Sequence, residues 1–271
     1  TYAVKNLKKG IEFLEQQFGV KWDWDAFWKN AEMYNDTSRC MVEKWDVNCT
    51  DHPQVCGAAL ALQREYEFMA AACMDKFMHK TDLRVTKMML KGYEQDKAAN
   101  APQPKYRCLV WACPAHYYTN FTYWTQHCWG VTCVNDMEAM LSYQPITIGD
   151  KEQALADLVR CYEKMMMRSH TNGGYVNLLD ECWKMCEKFH TNIVIMYDHV
   201  SCKNVGGLHG LFEDQARERG IHLIWIPHDV MDPRTVSRRE MREAFSQYMV
   251  TVLNEKPLDP TLLDYEDTLS W

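Results

Sequence analysis

Apolar residues at Val4, Leu7, Ile11, Leu14 and Phe18 recur at helical spacing, and Gly19 closes the run, which predicts a first helix. With Asp23 or Asp25 as its cap, a second long helix follows through Phe27, Ala31, Tyr34, Met41 and Trp45. The stretch Asn48–Gly57 (NCTDHPQVCG) breaks it. Helical spacing resumes over 58–79 and again over 81–95, with a Met- and Ala-rich face that reads as core packing rather than a binding groove. Asp96–Lys105 (DKAANAPQPK) has the composition of a linker. The expected division is therefore a helical segment over 1–98 and an α/β domain over 99–271.

Beyond the linker the pattern alternates between short apolar runs and helical periodicities, the mark of an α/β domain. Strands are expected at Tyr106–Ala112 (YRCLVWA), Gly130–Val134 (GVTCV), Asn192–Tyr197 (NIVIMY) and Ile221–Ile226 (IHLIWI). Helices are expected over Asn120–His127, around Leu155, Leu158, Tyr162 and Met165, and around Val176, Leu179, Trp183 and Cys186. Leu208, Leu211, Phe212 and Ala216 mark another, ended by Gly220. Ser237-Arg-Arg-Glu240 is a capping box for a last helix facing inward through Met241, Phe245, Tyr248 and Val252. Asn254–Trp271 reads as a polar tail with scattered apolar anchors. The stretch Thr191–Leu253 forms a βαβ unit, and in a parallel sheet the loops at the carboxyl ends of its strands converge on a ligand crevice. Asp198–Asn204 and Pro227–Arg234 should then be neighbours.

The 271 residues can bury a substantial core, and 47% hydrophobic with 25% charged residues is ordinary for a soluble globular protein. Thirty basic against 37 acidic residues give −7, which argues against a nucleic-acid footprint. No apolar run approaches a membrane span. The 12 cysteines invite a disulfide reading, but Cys73, Cys161, Cys182 and Cys186 lie in helical periodicities, and Cys108 and Cys133 in strand-like runs, where cysteine acts as a small reduced hydrophobe. Reduced thiols fit a cytoplasmic location, including an anaerobic one. On that reading the Asn-x-Thr matches at Asn35, Asn48 and Asn120 are chance occurrences. Starting at Thr1 within a helical pattern, the chain reads as the later part of a longer polypeptide.

Cys202 is the candidate metal or cluster ligand, since it occupies a strand-end loop beside Lys203 and a helix start, surroundings that favour thiolate. The alternative is a packed free thiol. His199-Val-Ser-Cys202 lacks a second Cys/His pair at zinc-finger spacing, and helix periodicity accounts for Cys182 and Cys186 better than metal binding does. Gly206, Gly207 and Gly210 match a phosphate loop poorly and suggest a tight turn instead. Asp232-Pro233-Arg234 reads as a structural helix entry, with Asp232 as cap and Arg234 paired to a carboxylate. Asp229 ends a buried strand and needs a partner.

Together, VSCKN (Val200–Asn204), a helix ending Glu218-Arg219-Gly220, an apolar strand and then Asp229, Asp232, Pro233, Arg234 and Ser237 in D-x-x-D-P-R-x-x-S order resemble subunits of the 2-hydroxyacyl-CoA dehydratase and benzoyl-CoA reductase superfamily. Fainter similarity runs through YRCLVWACP (Tyr106–Pro114), WGVTCVND (Trp129–Asp136) and DWDAFWKNAEMYN (Asp23–Asn35). The resemblance implies a flavodoxin-like parallel sheet with helices on both faces. It also implies a [4Fe-4S] cluster with Cys202 among its ligands and Ser201, Asn204 and Asp229 nearby, while Asp232 and Arg234 belong to a structural motif. The implied partners are an acyl-CoA substrate, a second, related iron–sulfur subunit, and an activator protein that alone handles ATP. The implied chemistry is radical elimination of water from a 2-hydroxyacyl-CoA. The alternatives are ring reduction of benzoyl-CoA, or electron relay by a partner subunit without its own substrate site. The family's earlier cluster cysteines fall in a front domain for which no counterpart is visible here. His228, immediately before Asp229, departs from the family pattern.

Overall fold

A computed structural model describes residues 1–63, 76–139, 144–164 and 174–264. The first helix, α1 (Tyr2–Phe18), ends where Gly19 takes a left-handed φ of 64°. Its apolar stripe does not become core: none of its residues is buried, and Leu14 and Phe18 are 50% and 72% exposed. In α2 (Trp24–Asn48) the Asp23 carboxylate caps the helix by accepting from the N–H groups of Asp25 and Ala26. Helix also begins at residue 58 and reaches residue 63. The break expected between residues 79 and 81 is absent, because α3 (Lys76–Ala99) runs unbroken through it. Thr81 is accommodated by donating its hydroxyl back to the Phe77 carbonyl at 2.9 Å. The first four residues of the supposed linker, 96–99, belong to this helix. The Met- and Ala-rich face lies partly outside the described residues, as does Cys73.

Four strands form one sheet: β1 (Tyr106–Trp111), β2 (Val131–Asp136), β3 (Ile193–His199) and β4 (His222–His228). Their order is β2-β1-β3-β4 and every pairing is parallel, the flavodoxin-like arrangement. Burial on both faces explains the near-continuous apolar runs, with Leu109, Val110, Trp111 and Ile193–Met196 inaccessible to solvent. Among the described residues the helices after β1 are α4 (Phe121–Trp129), α5 (Lys151–Lys164), α6 (Tyr175–Phe189), α7 (Lys203–Gly206), α8 (His209–Arg219) and, following β4, α9 (Arg238–Thr251). Leu208 precedes α8 and is buried, whereas Leu211 is 41% exposed, so the inward face is Leu208, Phe212 and Ala216. The capping box of α9 forms as the sequence predicts: Ser237 Oγ accepts from the Glu240 N–H, and the Glu240 carboxylate accepts from the Ser237 N–H.

The second half of α2 enters the same core as the sheet through Met41, Trp45 and Val47, and Trp45 meets Phe189 edge to face. α2 also buries an ion pair with α3, Lys44 to Asp82, whose side chains are 1% and 2% exposed. Between β1 and β2 the register shifts, so that Cys108 faces Cys133 but Leu109 faces Asn135. Val134 is thereby left without a partner residue in the ladder. The Asn48 carboxamide takes its place: Nδ2 donates to the carbonyls of Val134 (2.8 Å) and Val55 (2.7 Å), and Oδ1 accepts from the N–H groups of Gln54 and Val55. Asn48 is fully buried, which removes it as a glycosylation acceptor in the folded chain.

The supposed tail is partly anchored: Trp124 Nε1 donates to the Leu262 carbonyl and the Leu258 N–H to the Cys128 carbonyl. Every described cysteine is free, and burial pushes the Cys56 thiol up to about 12, as expected of inert packed thiols. Cys182 and Cys186 are both buried in the core. No described helix is long and apolar enough to cross a membrane.

Candidate functional site at the carboxyl edge of the sheet

Strand order reverses between β1 and β3, so the crevice outside their carboxyl ends is where an open parallel sheet binds ligands. Four segments meet there: 112–120 after β1, the 3₁₀ turn Met137–Ala139 after β2, 200–202 after β3, and 229–237 after β4. As the βαβ pattern predicts, the last two are neighbours: the Val200 N–H donates to the His228 carbonyl at 3.0 Å. A cavity of about 660 Å³ bordered by Trp183, His190, Thr191 and Ile221 lies at the opposite, amino edge, away from these loops.

Cys202 is half-buried and immediately precedes the one-turn helix α7. Its N–H donates to the His199 carbonyl at 2.9 Å, and its carbonyl accepts from the Gly206 N–H at 3.1 Å, so the backbone carrying the thiol is fixed from both sides. Ser201 is exposed and occupied locally, with both its N–H (3.1 Å) and its hydroxyl (3.0 Å) on His199 Nδ1. Accepting that N–H leaves the proton of a neutral His199 on Nε2, 3.9 Å from the Asp229 carboxylate. Asn204 lies in α7 and is exposed. Gly206, Gly207 and Gly210 all keep ordinary negative φ, so left-handed backbone is not their role.

Asp229 finds its partners in the backbone, its carboxylate accepting from the N–H groups of Met231 and Asp232 at 2.9 Å. These two donors hold its carboxyl below the usual range. The expected helix entry at Asp232 to Arg234 is instead a turn, since α9 begins only at Arg238. Asp232 caps that turn through the Arg234 N–H, and Arg234 pairs with Asp232 itself in a two-pronged contact (2.7 and 2.9 Å). The guanidinium holds the Asp232 carboxyl down at about 2. A solvent-facing local pair of this kind shapes a loop and stabilises it little.

His228 ends β4 with no solvent exposure, its ring 5.0 Å from that of Tyr197 and 5.4 Å from that of His199. Burial pushes its pKa down to about 4, opposed by the nearby backbone of Cys113, so the imidazole is neutral near pH 7. Neither of its ring nitrogens, and neither polar atom of the fully buried Asn135 side chain on β2, has a hydrogen-bond partner among the described residues. Buried polar groups are normally paired, and similar atoms occur elsewhere in the molecule, including Thr191 before β3, so these two do not by themselves mark a ligand position.

The loop after β1 contributes a cluster that sequence spacing did not bring out. Cys113 and His116 lie 3.9 Å apart, Sγ to Nε2, and Glu138 from the turn after β2 joins them, with all three ligand atoms within 4.8 Å of one another. The C-x-x-H spacing was the available signal for two of them, but Glu138 is brought in only by the β1–β2 pairing. The loop is held from several sides: the His116 N–H donates to the Val230 carbonyl, Arg238 donates to the Tyr117 carbonyl, Tyr117 to the Val236 carbonyl, and Arg242 to the Tyr118 hydroxyl.

No curated protein matches the chain. Residues 1–249 match the family described as 2-hydroxyglutaryl-CoA dehydratase, D-component, and the chain belongs to that family.

Proposed function

We propose that this chain is an iron–sulfur subunit of an ATP-activated radical 2-hydroxyacyl-CoA dehydratase, working with a second component. Family membership supports a dehydratase-type subunit, and a D-component implies a partner. The observation that carries the finer reading is Cys202: a half-buried thiol on a backbone fixed at the carboxyl edge of a parallel sheet, where strand order reverses. The donor set fits one corner of a [4Fe-4S] cluster, which needs about four ligands. On this reading the remaining ligands lie outside the described residues. Bound there, such a cluster supplies single electrons at low potential.

The chain's own residues would do three things. The contact of Ser201 with His199 Nδ1 orients the imidazole so that Nε2 faces the Asp229 carboxylate at the rim of the crevice. The neutral His228 is buried at the end of β4, beneath the loop that carries Asp229. The Asp232–Arg234 turn fixes the loop that carries Asp229.

The test is an anaerobic assay of the complex with its partner subunit, activator and ATP, offered a 2-hydroxyacyl-CoA and benzoyl-CoA in parallel. The expected result is loss of water to give a 2-enoyl-CoA. Reduction of the aromatic ring alone would reject dehydration in favour of ring reduction, and electron transfer without turnover of either thioester would leave only a relay.

A further inference from the structure

We infer that Cys113, His116 and Glu138 form a three-ligand site for a mononuclear divalent transition metal, zinc or ferrous iron in class, separate from Cys202. The inference does not rest on the iron–sulfur reading. A thiolate, an imidazole and a carboxylate make a borderline-soft donor set, suited to zinc or iron and unsuited to magnesium or calcium, which take oxygen ligands. The three ligand atoms already lie within 4.8 Å of one another, with 3.9 Å between Cys113 Sγ and His116 Nε2. Tetrahedral zinc, with bonds of about 2.0 to 2.3 Å, needs ligand separations of roughly 3.3 to 3.6 Å, so closure shortens these separations by up to about 1.5 Å, within the reach of side-chain rotation.

The backbone around the site has the features of a built one. Ala112, immediately before Cys113, takes a left-handed φ of 64° while only 9% exposed, a conformation that costs energy in a residue with a Cβ and turns the chain sharply out of β1. His116 is tied to the β4 loop through Val230, and the following tyrosines are tied to α9. On the β2 side the register shift at Val134 precedes the turn that brings Glu138 across, and Glu138 N–H is held by the Asp136 carboxylate at 2.9 Å. All three side chains are half-buried, so a metal could enter and retain one open position for water or substrate.

Zinc binding to the chelator-stripped, reduced full chain tests the assignment by competition with a chromophoric chelator, and cobalt substitution reports thiolate ligation by its charge-transfer absorption. The expected result is one metal per chain, a thiolate band lost in Cys113→Ser, and affinity at least about ten-fold weaker in Cys113→Ser, His116→Gln and Glu138→Gln. Cys202→Ala should bind zinc unchanged, whatever it does to iron. Circular dichroism establishes which variants fold, and His116→Gln and Glu138→Gln carry the test if Cys113→Ser does not. The proposal is overturned if the folded variants bind zinc as tightly as the unaltered chain, if Cys202→Ala abolishes zinc binding, or if Cys113→Ser removes iron–sulfur absorption, which would give Cys113 to a cluster.

Discussion

Asp82→Ala is expected to destabilise the protein by about 3 kcal/mol, because it removes a carboxylate that meets the buried Lys44 ammonium inside the helical layer. Both side chains are almost wholly inaccessible, at 1% and 2% exposure, so water cannot replace the lost partner. The pair itself contributes much less than its removal costs, since two ions had to be desolvated to form it. Lys44→Met combined with Asp82→Leu should therefore recover most of the loss, because apolar residues of similar volume remove both charges together. Chemical denaturation of the single and double variants measures this. A cost below about 1 kcal/mol for Asp82→Ala would mean that the α2–α3 pair is hydrated in solution.

Asn48→Ala should cost a comparable amount, about 4 kcal/mol, through a different mechanism. The carboxamide satisfies four backbone groups, and alanine would leave buried donors and acceptors unpaired at roughly 1 kcal/mol or more each. One of them is the Val134 carbonyl at the register shift of β2, three residues before Met137 and four before Glu138. Loss of stability should therefore be accompanied by weaker metal binding at Cys113, His116 and Glu138. Asn48→Asp should be no milder, since a carboxylate presents acceptors to the two carbonyls that Nδ2 now serves. A variant with unchanged denaturation midpoint would contradict this account of the β1–β2 junction.

Much of the architecture could be read from periodicity. β3 and β4 are apolar runs because both faces of a parallel sheet are covered, and the α9 start was marked by Ser237 and Glu240 at capping-box spacing. The break expected near Thr81 failed because a hydroxyl can bond back to its own helix. The stripe of α1 shows the converse: Val4, Leu7 and Ile11 are half-buried while Leu14 and Phe18 stay exposed, so amphipathic spacing predicts a helix without guaranteeing that its whole apolar face is covered. At the site, Cys202, Ser201 and Asp229 were visible because they share strand-end loops of one βαβ unit. Asn48 stands in an Asn-x-Thr match, and nothing in the local sequence announces a carboxamide that completes a distant strand. Glu138 lies on another strand-end turn from Cys113 and His116, and only the pairing of β1 with β2 makes them neighbours.

The most direct measurement of the central claim is iron and acid-labile sulfide in the complex purified anaerobically, with and without Cys202→Ala. Iron and sulfide in nearly equal amounts, with the cluster bound to this chain lost or degraded in the folded variant, is the predicted result. Iron, sulfide and visible absorbance unchanged by the substitution would contradict it and return Cys202 to the status of a packed thiol.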